Sequence, residues 1–254
     1  MASQRQPPRA TEVTAAIAAA GSGERLGAGS PKAFVPLAGR PMIAWSIDAF
    51  RASHAVAAIV VATPPGYEHG LEGGDLTVVD GGATRAQSVA NALAVTETEL
   101  IAIHDAARPL LTPELVEALV AVLAADPDAA GVIAATPVTD TVKRASPSPK
   151  SAFPTHSDGN APLAIKDTVD RSRLWAAQTP QVFRADALRV ALAVDAKARD
   201  AATDEATLIE AAGGTVLIHP APPENLKVTT PLDLRLAELL LADRGAAGAA
   251  PLSP

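Results

Sequence analysis

Cysteine does not occur in this sequence. That excludes a disulfide framework, a thiolate metal site and a Cys nucleophile, and it fits a reducing compartment. Positive charge is also in deficit: 21 Lys and Arg stand against 28 Asp and Glu, for a formal net charge of −7. A protein that works on DNA or RNA needs a basic patch to neutralise phosphates, and none is visible. Long apolar runs are missing too, so no segment is suited to crossing a bilayer. The opening MASQRQPPRATE lacks the apolar middle of a secretory signal. The five histidines are scattered without zinc-ligand spacing. Together these absences predict a cytoplasmic protein with neither nucleic acid nor membrane as partner.

What remains is ample for a core. The chain has 254 residues, 48% of them hydrophobic, enough to bury most of its surface without a staple. Short apolar runs, VTAAIAAA (13–20) bounded by Gly, then VAAIVVA (56–62), LTVVD (76–80), LIAIH (100–104) and GVIAATPV (131–138), read as strands. Between them lie helical patterns: Met42, Ile43, Ile47 and Phe50 recur at helical spacing, and Thr112-Pro113-Glu114 is a strong helix start. TDEATLIEAAGG (203–214) reads as a glycine-ended helix before the strand TVLIHP, and Thr230-Pro231 repeats the helix start. Alternation of this kind implies an α/β fold with a mainly parallel sheet. The expected domain spans 11–244, with tails at 1–10 and 245–254.

One stretch breaks the rhythm. Residues 145–162, ASPSPKSAFPTHSDGNAP, are rich in Ser, Pro and Gly and predict a mobile loop. β-prone segments flank it, so 137–173 is expected to form a projecting arm. An isolated ribbon is marginal in water, which predicts packing against a second copy of the chain.

In open α/β sheets, ligands gather beyond the carboxyl ends of the strands, and the polar motifs here all follow predicted strands. In AAAGSGERLGAGSPK (18–32), Gly21, Gly23, Gly27 and Gly29 let backbone N–H groups approach an anion. Arg25 and Lys32 are spaced to close on that anion from two sides. Arg outnumbers Lys 15 to 6 overall, so a Lys in this loop suggests a need for a compact point charge. The string matches neither a dinucleotide fingerprint nor a P-loop in full. A second turn, VVDGGATRAQSV (78–89), opens a helix at Gly81 and Gly82, and the N–H groups from Ala83 to Ser88 are placed to face a base or phosphate, or simply to make a turn. In IAIHDAARPL, Asp105 is placed either to hold Mg²⁺ against substrate phosphates or to cap a turn, and His104 reads as a hydrogen-bonded structural residue. Thr141, Arg171 and Lys227 have the chemistry to contact phosphate, as do many exposed polar side chains.

Taken in order, AAAGSGERLGAGSPKAF, VVDGGATRAQSV, HDAARP, PVTDTVKR, TVDRSRLWAAQTPQVF, TDEA and NLKVTTPLDL resemble the 2-C-methyl-D-erythritol 4-phosphate cytidylyltransferase family across residues 13–240. The resemblance implies a Rossmann-like nucleotidyltransferase domain with a β-arm that makes a homodimer. It implies transfer of CMP from CTP to 2-C-methyl-D-erythritol 4-phosphate, release of pyrophosphate, and Mg²⁺ as cofactor. Position by position, it implies Arg25 and Lys32 as catalytic cations and Asp105 as the metal-binding residue. It implies Ala19, Ala20, Gly21, Gly23, Gly82, Ser88, Asp105, Ala106 and Lys227 at the CTP site, with Gly82 and Ser88 reading cytosine. Thr141, Arg171 and Thr179 would hold the acceptor, the arm residues reaching across the dimer. Ala83 departs from the family pattern, which often has an acid there, and the 145–162 loop is longer than expected.

The implied chemistry accounts for the missing nucleophiles, since an acceptor phosphate is already largely ionised at neutral pH. Three other readings stay open on sequence grounds. One is a cytidylyltransferase with another acceptor, such as ribitol 5-phosphate. A second is a nicotinamide-dependent oxidoreductase, although VAAIVVATPPG ends its strand without the acidic residue that binds ribose. The third is a silent nucleotide-binding module.

Overall fold

The computed structural model describes residues 12–21, 30–68, 71, 76–147 and 163–248. The predicted tail 1–10, most of the 145–162 loop, and Gly23, Arg25, Gly27 and Gly29 lie outside the described residues. Along the chain, β1 (Val13–Ala18) leads through a 3₁₀ turn (Lys32–Phe34) to the short pair β2 (Pro36–Leu37) and β3 (Arg40–Pro41), then α1 (Met42–Ala52). Next come β4 (Val56–Thr63), β5 (Leu76–Asp80), α2 (Arg85–Ala94), β6 (Leu100–Asp105), α3 (Pro113–Ala125) and β7 (Ala129–Pro137). A hairpin of β8 (Lys143–Pro147) and β9 (Leu163–Thr168) precedes β10 (Trp175–Arg184), α4 (Ala185–Leu192), α5 (Ala196–Ala201), α6 (Glu205–Ala211), β11 (Thr215–Pro220) and α7 (Pro231–Gly248).

Seven strands form one sheet in the order β11-β7-β10-β6-β1-β4-β5. Its neighbours run parallel except for β10, which is antiparallel to both β6 and β7. The chain is therefore a mostly parallel, Rossmann-like α/β fold, as the alternation of strands and helices predicts. β1 and β6 are buried nearly throughout, as strands covered on both faces must be. One face packs α1 and α3 through Ile43, Phe50, Leu119 and Leu123, and the other packs α2, α4 and α6 through Val89, Leu188 and Ile209. Each such fully buried side chain contributes about 1.5–3 kcal/mol. The last helix, α7, closes a third cluster with Leu37, Met42, Leu110 and Val228.

Thr112 caps α3 by accepting from the Leu115 amide at 3.4 Å, and Thr230 accepts from the Asp233 amide at 3.2 Å. Both helix starts are those the Thr-Pro pairs predict. Two features differ from the sequence expectation, and a third falls where the sequence assigns no element. Residues 145–147 belong to β8 rather than to a loop, because they pair with 163–165. Residues 245–248 continue α7 rather than beginning a tail. The segment around Pro180 is strand, with the register broken between Ala177 and Gln181; that irregularity accommodates a proline no regular inner strand would take. Among the described residues, no helix is long and apolar enough to cross a membrane.

Register places the carboxyl ends of four strands side by side. Ala18 aligns with Ala62 and with Asp105, and Thr63 aligns with Asp80. The antiparallel contact of β10 with β7 puts Gly131 opposite Phe183, where a Cβ would run into the buried ring. Gly131→Ala is expected to destabilise the fold by about 1–3 kcal/mol, the usual scale of core overpacking. Urea unfolding of the variant checks this, and an unchanged midpoint would show that the ring does not pack there.

Candidate active site

The aligned strand ends turn into three loops that are tied to one another through main chain. Ala19 donates to the Ala62 carbonyl at 2.9 Å, Gly81 to Thr63 at 2.7 Å, and Ala106 to Ala18 at 3.2 Å. Gly81 has no room for a side chain, since a Cβ would meet Ala20 and the Thr63 carbonyl. A fourth segment arrives after β11, where Val228 donates to the Ala107 carbonyl at 2.8 Å and so sets Lys227 beside the third loop. Together they enclose a cavity of about 670 Å³.

Nine of the sequence-predicted residues line this cavity: Ala19, Ala20, Gly21, Lys32, Gly82, Ser88, Asp105, Ala106 and Lys227. Lys32 follows the glycine-rich stretch, and its amide donates to the Gly21 carbonyl at 3.2 Å, so the ends of that loop meet at the cavity wall. In the second turn, the Gly82 amide donates to Ser88 Oγ at 3.0 Å and Ala83 to Gln87 Oε1 at 3.2 Å. Both amides are thus already satisfied by side chains of α2; of the N–H groups from Ala83 to Ser88, Ala83's serves the turn, the other reading the sequence leaves open. Arg25 and Gly23 lie outside the described residues.

Asp105, the last residue of β6, is the electrostatic centre. Arg85 Nε donates to its Oδ1 at 3.0 Å, and Lys227 Nζ to its Oδ2 at 2.6 Å. Burial alone would raise this carboxyl, but the Arg85 and Lys227 charges outweigh it and hold Asp105 far below the usual carboxylate range. Arg85 in turn donates through Nη1 to both carboxylate oxygens of Glu205, 2.7 Å to Oε1. Burial works against the Arg85 charge, yet Glu205 and Asp105 together hold the guanidinium firmly protonated. Burial likewise pushes the Glu205 carboxyl up, while Arg85 pulls it back toward the ionised form.

Behind Asp105 lies a polar layer. The Asp105 amide donates to Thr179 Oγ1 at 3.0 Å, and the same oxygen sits 3.2 Å from His104 Nδ1. Nε2 of His104 is 3.2 Å from both Ser46 Oγ and the Arg108 carbonyl. Burial pulls His104 down to about 3, so it stays neutral; its role is structural, as the sequence suggests. Arg108 donates to the Asn225 carbonyl at 2.7 Å, and Asn225 Nδ2 donates to the Thr179 carbonyl at 2.9 Å. Thr179 is buried in this layer and does not line the cavity. Thr141 and Arg171 also lie away from it, exposed and beside each other, Arg171 Nη1 donating to Thr141 Oγ1 at 3.4 Å.

Arg85 and Glu205 went unassigned in the sequence reading. Both sit inside strings that carry the resemblance, TRAQSV and TDEA, but nothing in either string says that residues 120 positions apart form an ion pair.

Comparison with known proteins agrees with this geometry. The sequence profile of the family described as 2-C-methyl-D-erythritol 4-phosphate cytidylyltransferase matches residues 13–243. A protein of that name from Frankia casuarinae is 43% identical over 244 residues, covering 94% of this chain and 84% of the relative. One from Parasynechococcus marenigrum is 43% identical over 237 residues, covering 90% and 97%. The crystal structure of 2-C-methyl-D-erythritol 4-phosphate cytidylyltransferase from Thermus thermophilus superimposes with a TM-score of 0.72 at 33% identity, covering 91% of this chain and 99% of that one. A profile match over nearly the whole folded chain, together with a relative at 43% identity, establishes that this chain belongs to the 2-C-methyl-D-erythritol 4-phosphate cytidylyltransferase family.

Proposed function

We propose that this protein transfers CMP from CTP to 2-C-methyl-D-erythritol 4-phosphate, forming 4-diphosphocytidyl-2-C-methyl-D-erythritol and pyrophosphate in isoprenoid biosynthesis. The observation that carries this reading is the convergence of Lys32, Lys227 and Asp105 on one cavity at the strand ends, in a chain of this family. Absence of cysteine supports a reducing, cytoplasmic setting.

An oxygen of the acceptor phosphate attacks the α-phosphorus of CTP. The new P–O bond forms as the bond to the bridging oxygen breaks, and pyrophosphate leaves. The acceptor's second pKa is near 6, so the nucleophile is anionic at neutral pH and no side chain has to remove a proton. The protein must align the two phosphates and offset the charge growing on the α-phosphate and on pyrophosphate. Lys32 is assigned that task from one wall, with Arg25 as its partner cation, and Lys227 from the other. Ala19, Ala20, Gly21, Gly23, Gly82, Ser88 and Ala106 are assigned to nucleotide binding, where small residues and main chain allow close approach.

Among the described residues, no three His, Cys, Asp or Glu side chains cluster to hold a metal. A single ionised carboxylate at a cavity wall nevertheless suits Mg²⁺, which binds one or two carboxylates together with substrate phosphates and keeps several waters. Asp105 would hold it, and the ion would neutralise phosphate charge beside the reacting phosphorus.

The β8–β9 ribbon supports a homodimer. Leu163 and Ile165 are 68% and 67% exposed on it, and a two-stranded ribbon gains independent stability only by packing on something. A second copy would cover those side chains and carry Thr141 and Arg171 toward a neighbouring cavity to hold the acceptor phosphate. Thr179, acceptor-binding by the resemblance, is buried behind Asp105 and is assigned instead to support of the Asp105 loop.

The direct test is release of pyrophosphate from CTP, Mg²⁺ and methylerythritol phosphate by the purified protein, with ribitol 5-phosphate as the competing acceptor. No pyrophosphate with the first acceptor would sink the reading. Lys32→Ala is expected to lower kcat by ~10²–10³-fold, the scale for losing one preorganised stabiliser of developing charge; a rate near wild type would remove Lys32 from its role. Arg171→Ala is expected to raise KM for the acceptor at little change in KM for CTP, and the reverse pattern would assign the arm to the nucleotide. Ile165→Glu is expected to shift sedimentation from dimer toward monomer, whereas an unchanged dimer would place the interface elsewhere.

A further inference from the structure

We infer that Glu205 is a positioning residue for the metal: it is the counter-charge that leaves Asp105 free to attract a divalent cation. The inference rests on the reading of Asp105 as the Mg²⁺ carboxylate. Two cations touch that carboxylate, Arg85 on Oδ1 at 3.0 Å and Lys227 on Oδ2 at 2.6 Å. Left to themselves, one negative and two positive charges make a net positive spot, which attracts triphosphate and repels Mg²⁺. Glu205 restores the balance. Its side chain is 1% exposed and accepts from Arg85 Nη1 with both oxygens, so the Arg85 charge is spent chiefly on Glu205.

The placement of Glu205 fits this task. It opens α6, with Asp204 as the cap accepting from the Thr207 amide at 3.0 Å, and a helix N-terminus favours an anion. Asp204 also accepts from Gln181 Nε2 at 2.9 Å, which anchors the helix start to β10 beside β6. Glu205 does not line the cavity, so it acts on the ligands only through Arg85. Stability alone does not explain the pair, because a buried ion pair is often no better for folding than apolar residues of similar volume. Arg85 is fixed between two carboxylates, its Nε donating to Asp105 Oδ1 at 3.0 Å. Among the described residues, the neutral Arg85–Glu205 pair leaves Lys227 as the cation that touches Asp105 without a second carboxylate, and Lys227 is itself 42% exposed at the cavity wall, where phosphate competes for it.

The test measures CTP affinity by calorimetry on the full chain without acceptor, once with Mg²⁺ and once with EDTA. In wild type, Mg²⁺ should tighten CTP binding. In Glu205→Gln, metal-free CTP is expected to bind as well as or better than in wild type, while the gain from Mg²⁺ falls by about tenfold or more, the effect of one added positive charge near a dication at the effective dielectric of a protein site. The double variant Arg85→Gln/Glu205→Gln removes both charges and is expected to bring the Mg²⁺ gain back to within about threefold of wild type, since the net charge around Asp105 is then unchanged. A merely structural Glu205 would weaken both affinities in parallel, and that result overturns the inference, as does an unchanged Mg²⁺ gain in Glu205→Gln. Should Glu205→Gln fail to fold, the double variant decides alone: a retained gain supports the inference and a lost one overturns it. Absence of any Mg²⁺ gain in wild type would instead remove the metal reading of Asp105 itself.

Discussion

Asp105 ends a buried strand with its carboxylate almost enclosed by protein, and an ionised group in such a place is tolerated only when opposite charges and donors replace the water it has lost. Arg85 and Lys227 replace that water. Each comes from a different part of the chain, Arg85 from the start of α2 and Lys227 from the segment after β11. Holding one carboxylate therefore fixes three loops relative to one another. The cavity exists because those loops cannot drift apart without exposing an uncompensated charge.

A second set of contacts carries the same constraint inward. Thr179, His104, Arg108 and Asn225 form a buried polar layer directly behind Asp105. Arg108 spans from the loop after β6 to the segment that bears Lys227, and Asn225 returns to β10. The bonds that Arg108 Nη1 and Asn225 Nδ2 donate favour one geometry for the carboxylate above the layer, while Arg108 Nε and Asn225 Oδ1 are buried there without a partner. Its neutral histidine suits a reaction whose nucleophile arrives already ionised.

The chemistry is thus divided between rigid and adaptable parts. Strand ends locked by register and main-chain hydrogen bonds carry Asp105 and Ala106, the turn after β5 carries Gly82, and α2 carries Ser88. The cations assigned to the triphosphate stand at the cavity walls outside the main sheet, Lys32 at the start of a 3₁₀ turn and Lys227 on the segment before α7. The arm carries Thr141 and Arg171 well away from that cavity, an arrangement that makes sense when the acceptor site is completed by another copy of the chain. Preorganised charge at the phosphorus and adaptable charge around the phosphates is a reasonable division for phosphoryl transfer, in which positioning and electrostatics supply nearly all the catalysis.

Much of this was legible before any coordinates. Short apolar runs marked β1, β4, β5, β6 and β7, and Thr-Pro pairs marked the starts of α3 and α7, because burial on two faces and helix capping are local demands that leave local traces. The same holds for the motifs at the strand ends, since a ligand bound by main chain requires small residues at particular spacings. The sequence assigns no element to the segment around Pro180, which joins β10 through a register break that belongs to the pairing with β7 rather than to the segment. The Arg85–Glu205 pair was missed for a related reason: an ion pair between residues 120 positions apart has no periodicity and no composition. Local physics, written in consecutive residues, could be read from the chain itself. The balance of charge around Asp105 depends on which distant segments the sheet order brings together, so it came into view with the fold.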